Sequence, residues 1–114
     1  RERVAHYRSG AQLAAQQSYA EIVDTVATTA ASAPAGWWCH VDLDVLDTAS
    51  LDAVDYPQPG GVTWSQLESI TAACLDVPGC LGASVVIYNP DLDEGRAAAR
   101  IADYVAFIGK RLSA

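Results

Sequence analysis

The stretch "LGASVVIY", residues 81–88, is apolar almost throughout, with "PGC" before it and "NP" after it. A strand with one face in water alternates apolar and polar residues. An unbroken apolar run of this length fits a strand covered on both faces, the mark of a central strand in a parallel sheet. That single expectation constrains the fold more than any other feature of the chain. A second strand is predicted over "WWCHVDLD", residues 37–44, which is short, aromatic and β-branched. Three helical patterns surround these runs. Ser18 to Ala31 carries Tyr19, Ile22, Val23, Val26, Ala27 and Ala30 at helical spacing, with a capping-box pair at Ser18 and Glu21. The segment from Thr63 to Val77 places Leu67, Ile70, Thr71 and Cys74 on one face behind Thr63 as N-cap. The last helix, from Arg96 to Leu112, groups Ile101, Tyr104, Val105 and Ile108, with Lys110 and Arg111 where the helix dipole favours cations. Residues 1–17 promise no more than a weak turn. The order helix–strand–helix–strand–helix is that of an α/β layered unit.

Parallel strands joined by a crossover helix usually belong to a larger sheet, and two strands cannot cover three helices well. The chain opens "RERVAHYRSG" and contains no Met. Residues 1–114 are therefore expected to be the C-terminal part of a single larger α/β domain. The formal charge of −7 argues against nucleic acid or an anionic membrane, both of which call for clustered Lys and Arg. No signal peptide or bilayer-length apolar run is present. Cys39, Cys74 and Cys80 are odd in number and match no zinc spacing. Cys39 reads as a small core residue, and a reduced, cytoplasmic setting is expected. Trp37 and Trp38 read as packing residues.

The negative charge is concentrated. Asp42, Asp44, Asp47, Asp52 and Asp55 cluster at and just beyond the end of the first strand. Alternation along a strand puts Asp42 and Asp44 on the same face at its C-terminal end, where open α/β sheets bind ligands. Two carboxylates so placed repel unless a cation lies between them, and hard ions such as Mn²⁺ and Mg²⁺ prefer oxygen ligands. His40 falls on that face one step deeper, as a buried, hydrogen-bonded histidine. Asp47, Asp52 and Asp55 read as loop or capping residues. An EF-hand loop fails, because its fifth and sixth positions would be Leu46 and Asp47 where an oxygen ligand and Gly are needed. A phosphatase of the haloacid dehalogenase class also places Asp-x-Asp after an apolar strand, but continues Gly-Thr where this chain has Val45-Leu46.

The segments beyond the aspartates are more specific. "HVDLDVLD", then "AVDYPQPGGVTWSQL", then a strand ending "YNP" resembles the ureohydrolase family of arginases, agmatinases and formimidoylglutamases, over about residues 38–112. The resemblance implies a three-layer α/β/α fold with a parallel sheet, of which this chain would hold the C-terminal strand–helix units. It also implies two Mn²⁺ ions per complete subunit, bridged by a hydroxide that attacks a guanidino, amidine or related carbon and cleaves a non-peptide C–N bond. Asp42 and Asp44 match the family's last two metal-binding aspartates; Asp47, Pro59, Gly60 and Gly61 match its structural loop. Tyr56 and Tyr88 are candidates for the substrate wall. The family's other four ligands, a histidine and an Asp-x-His-x-x-x-Asp run, have no counterpart here, and His6 does not match. The chain alone is expected to be inactive. Ile87 stands where arginases carry a Glu that pairs with the guanidinium, which implies poor use of arginine. A small-molecule substrate and a trimeric or hexameric homo-oligomer are further implications. Two other readings remain: a non-catalytic α/β fragment or assembly module of that family, and an Mg-dependent phosphatase with Asp42 as nucleophile and Asp44 as general acid.

Overall fold

The computed structural model describes residues 20–32, 35–54 and 60–113. The expectations for Ser18, for residues 1–17, and for Asp55, Tyr56 and Pro59 lie outside them. In chain order the elements are α1 (Ala20–Ala31), β1 (Trp37–Asp42), a 3-10 turn (Leu43–Val45), α2 (Trp64–Leu75), β2 (Cys80–Val86), a second 3-10 turn (Pro90–Leu92) and α3 (Ala98–Ser113). The predicted order holds, and β1 and β2 pair in parallel as the apolar runs required.

The register aligns Trp38 with Gly82, Cys39 with Ala83, His40 with Ser84, Val41 with Val85 and Asp42 with Val86. Side chains alternate across a sheet, so one face carries Cys39, Val41, Ala83 and Val85. These residues pack into the core with Ile22 of α1, Leu67, Ile70 and Cys74 of α2, and Tyr104 and Ile108 of α3. The other face carries Trp38, His40 and Ser84, and among the described residues no helix covers it. This corrects the expectation for β2, whose residues are mostly half-buried rather than enclosed on both faces. The physical reason is the bare face: the described residues supply the sheet and the helical layer on one side of it.

Local chemistry sets the helix boundaries. Thr63 caps α2 as expected, its hydroxyl accepting from the Gln66 amide at 3.1 Å. The Gln66 side chain accepts the Thr63 amide at 2.9 Å in return, which closes a capping box. All four residues assigned to the inner face of α2 are buried. Thr71 is tolerated there because its hydroxyl donates to the Leu67 carbonyl and also meets the Tyr104 hydroxyl, both at 2.7 Å. Tyr104 is fully buried, and that burial is the main cause that pushes its phenol up to about 12. On α3, Val105 departs from expectation: it is 48% exposed, because the inner stripe runs through Tyr104 and Ile108 instead.

Candidate metal centre

β1 ends at Asp42, which has extended backbone (φ −92°, ψ 122°), and the chain then turns through Leu43–Val45. Asp44 is therefore in a 3-10 turn and not on the strand, so strand geometry does not place it. The alternation of burial nevertheless runs on: Val41, Leu43 and Val45 are buried, while Asp42 and Asp44 between them are half-buried. The apolar residues anchor the turn and leave both carboxylates at the sheet's C-terminal edge. Burial first, then the neighbouring charge of Asp42, raises the carboxyl of Asp44 above the ordinary carboxylate range. Such a pair gains from a cation. The donors are hard oxygens suited to Mn²⁺ or Mg²⁺, so the donor chemistry fits a metal of that kind. Their number does not complete a site: among the described residues no group of three or more His, Cys, Asp or Glu side chains could hold an ion.

His40 is not buried as the alternation suggested. Its side chain is 56% exposed, because it stands on the bare face of the sheet. Its Nε2 lies 2.8 Å from Asp42 Oδ1, and its Nδ1 lies 2.7 Å from Ser84 Oγ across the strand pair.

Asp47 ties the next loop together from both ends. Its carboxylate accepts the Ala49 amide at 3.0 Å and the Gly60 amide at 2.8 Å. Those bonds hold its pKa below the usual carboxylate value. The Asp47 amide donates to the Val62 carbonyl at 2.8 Å, and the Val62 amide to the Val45 carbonyl at 3.0 Å. Leu46 and Val62 thus form a short parallel bridge just beyond β1. Gly60 adopts φ +81°, and a Cβ on Gly61 would collide with the Val45 carbonyl oxygen. The two glycines are what allow the loop to lie against the aspartate turn.

Tyr88 is half-buried, and its hydroxyl donates to Asp93 Oδ1 at 2.8 Å. Burial first, then that carboxylate, raises its phenol pKa. Asp93, which in the sequence is one acid among several in a polar loop, is 6% exposed. It also accepts the Gly95 and Ala97 amides at 3.0 and 3.1 Å. Burial acts to raise its pKa, but the Tyr88 hydroxyl and the two amides outweigh it and the pKa is lowered. No capping signal marked it in the sequence, since it stands several residues before Ala98, where the helix begins. Asn89, in the Asn-Pro turn, donates its amide to the Ala53 carbonyl at 2.8 Å and so ties the end of β2 to the loop after β1. A shallow cavity of about 320 Å³ is lined by Thr48, Ser50, Trp64, Asp93, Arg96 and Arg100 among others, and neither Asp42 nor Asp44 reaches it.

A parallel strand pair backed by helices, with carboxylates at and just past a strand end, is an α/β arrangement, a class in which ligands bind at the C-terminal side of the sheet. The sequence model of the Arginase family matches residues 3–108, and the chain belongs to that family. The fold is also that of Helicobacter pylori arginase, at 14% identity and TM-score 0.75 over 86% of this chain and 34% of that one. Formimidoylglutamase from Bacillus subtilis is similar at 26% identity and TM-score 0.57, over 67% of this chain and 23% of that one. A hypothetical agmatinase from Burkholderia thailandensis is similar at 26% identity and TM-score 0.55, over 75% of this chain and 27% of that one. The chain thus spans about a third or less of the length of these proteins. No curated protein matches it. Among the described residues no helix is long and apolar enough to cross a membrane.

Proposed function

We propose that the chain is the C-terminal part of a single ureohydrolase-type domain that hydrolyses a non-peptide C–N bond, with Asp42 and Asp44 holding Mn²⁺. The observation that carries this is the half-buried carboxylate pair at the end of β1, set on a turn whose neighbouring loop matches the family. When bound, the metal supplies Lewis-acid activation of water. Leu43 and Val45 fix the turn that presents the two carboxylates. Asp47, Gly60 and Gly61 form the loop that braces it. Tyr56 stays a candidate for the substrate wall. Tyr88 is a weaker one, since its hydroxyl is already committed to Asp93.

Ile87 carries the substrate reading. It comes directly after β2 and is 45% exposed, and an aliphatic side chain cannot pair with a guanidinium. Loss of such a charged contact costs roughly 2–5 kcal/mol, so arginine is expected to be a poor substrate and another guanidino or amidine compound a better one. A cytoplasmic location and a trimeric or hexameric assembly belong to the same proposal.

The test is metal analysis of the full-length protein with and without Asp42→Ala and Asp44→Ala. Two equivalents of Mn²⁺ per subunit, lost in both variants, are the expected result. A phosphoryl group trapped on Asp42 would replace this reading with the phosphatase, and robust urea release from arginine would show Ile87 to be misaligned.

A further inference from the structure

The bare face of the sheet carries a continuous line of hydrogen bonds that ends on Asp42. Trp38 Nε1 lies 3.2 Å from Ser84 Oγ, His40 Nδ1 lies 2.7 Å from the same oxygen, and His40 Nε2 lies 2.8 Å from Asp42 Oδ1. Chemistry fixes the direction at both ends of the line. An indole N–H can only donate, so Ser84 Oγ accepts from Trp38. A carboxylate oxygen accepts, so His40 Nε2 carries a proton and donates it to Asp42. Between them, Ser84 Oγ and His40 Nδ1 share one hydrogen bond that fixes the plane of the ring.

The strand register makes the line possible. His40 and Ser84 are direct partners across the β1–β2 pair, and Trp38 and Asp42 lie two residues to either side of His40 on the same face. Gly82 is the partner of Trp38, and a Cβ there would run into the indole ring. The missing side chain lets the indole lie flat over the strand and bring its N–H to Ser84.

We infer that His40, its ring held across the strand pair by Ser84 and its Nε2 against Asp42 Oδ1, is a positioning residue that orients the Asp42 carboxylate for a divalent cation. This rests on the reading of Asp42 as a metal ligand. The bond to Oδ1 leaves Oδ2 as the oxygen free for a metal. Partners that orient a metal-binding side chain in this way typically change affinity 10–100-fold when removed.

The experiment titrates Mn²⁺ alone into the full-length protein and follows the free ion by electron paramagnetic resonance. The wild type is compared with Asp42→Asn, His40→Ala, His40→Gln and Ser84→Ala. His40→Ala is expected to weaken Mn²⁺ binding about 10–100-fold. His40→Gln is expected to restore most of it, since its amide N–H can stand where Nε2–H stood. Ser84→Ala is expected to fall between, with melting temperatures of the metal-free proteins close together.

His40→Ala binding Mn²⁺ within twofold of wild type while Asp42→Asn loses it would overturn the positioning role and leave the metal reading standing. Unchanged binding in Asp42→Asn would sink the metal reading, and the role of His40 with it. A His40→Gln variant as weak as His40→Ala would also refute the positioning role.

Discussion

Asp44 shows most directly what the aspartate turn lacks. Burial and the charge of Asp42 raise its pKa, so the fold binds this proton more tightly than the unfolded chain does. A carboxyl with a raised folded pKa contributes most below its unfolded value, and that contribution is lost as pH rises through the folded value. At neutral pH the ionised Asp44 therefore works against the fold. Asp44→Asn should raise the melting temperature of the metal-free protein at pH 7, a gain of less than about 1 kcal/mol because solvent screens the pair. An unchanged or lower melting temperature in calorimetry would show that the two carboxylates do not repel. Ile87 presents the opposite problem, one of backbone. Its φ is +78°, a region that strongly disfavours β-branched residues and costs of order 1–3 kcal/mol. Ile87→Gly should stabilise the chain by about 1 kcal/mol once the glycine's own entropy loss is subtracted; a destabilised variant in urea melts would mean that side-chain packing outweighs the strain. The sequence named both positions but revealed neither state. Strand alternation accounts for Asp42 but not for Asp44, which stands in the 3-10 turn beyond β1, and it put His40 in the interior, because a sequence pattern does not say which sheet face is left uncovered.

Helices and strands were the more legible scale. Their order follows from spacing alone, and Thr63 announced the start of α2. Thr63→Ala should cost about 1 kcal/mol, and the loss should appear in the denaturation midpoint without a change in slope, since no further surface is exposed. The start of α3 was legible only in part, because its anchor Asp93 looked like one more acid in a polar loop. Its partners, Tyr88 and the Gly95 and Ala97 amides, come together only in the fold. The lowered pKa of Asp93 fixes the sign of its pH effect. Its stabilisation is fully present above the unfolded carboxylate value of about 3.9 and is lost as pH falls through the lower folded value. Acid unfolding monitored by circular dichroism should therefore show a limb below about pH 4 that flattens in Asp93→Ala. A limb identical in the variant would assign the acid sensitivity elsewhere, with Asp47, whose pKa is also lowered by backbone amides, the next residue to test.

For the molecule as a whole, the bare face of the sheet and the small donor set of the proposed metal site belong together. The face left uncovered bears Trp38, 58% exposed, and His40, and at its C-terminal edge stand the two carboxylates. A six-coordinate hard cation needs more protein oxygen or nitrogen donors than Asp42 and Asp44 supply if it is to be held tightly. That need was legible in the sequence as an Asp-x-Asp without its upstream partners, whereas the bare face was not, since the run "LGASVVIY" reads as enclosed on both sides. The 114-residue chain should accordingly bind Mn²⁺ only weakly, no tighter than about 0.1–1 mM, the weak end of the range for divalent cations held by oxygen ligands. The weak binding should still vanish in the double variant Asp42→Asn, Asp44→Asn, because those carboxylates carry what site there is. Water-proton relaxation during an Mn²⁺ titration reads both results. Micromolar binding by the chain alone would mean that it completes a metal site without further ligands; weak binding that survives the double variant would mean that the ion sits elsewhere on the acidic surface and that the turn after β1 is not a metal edge.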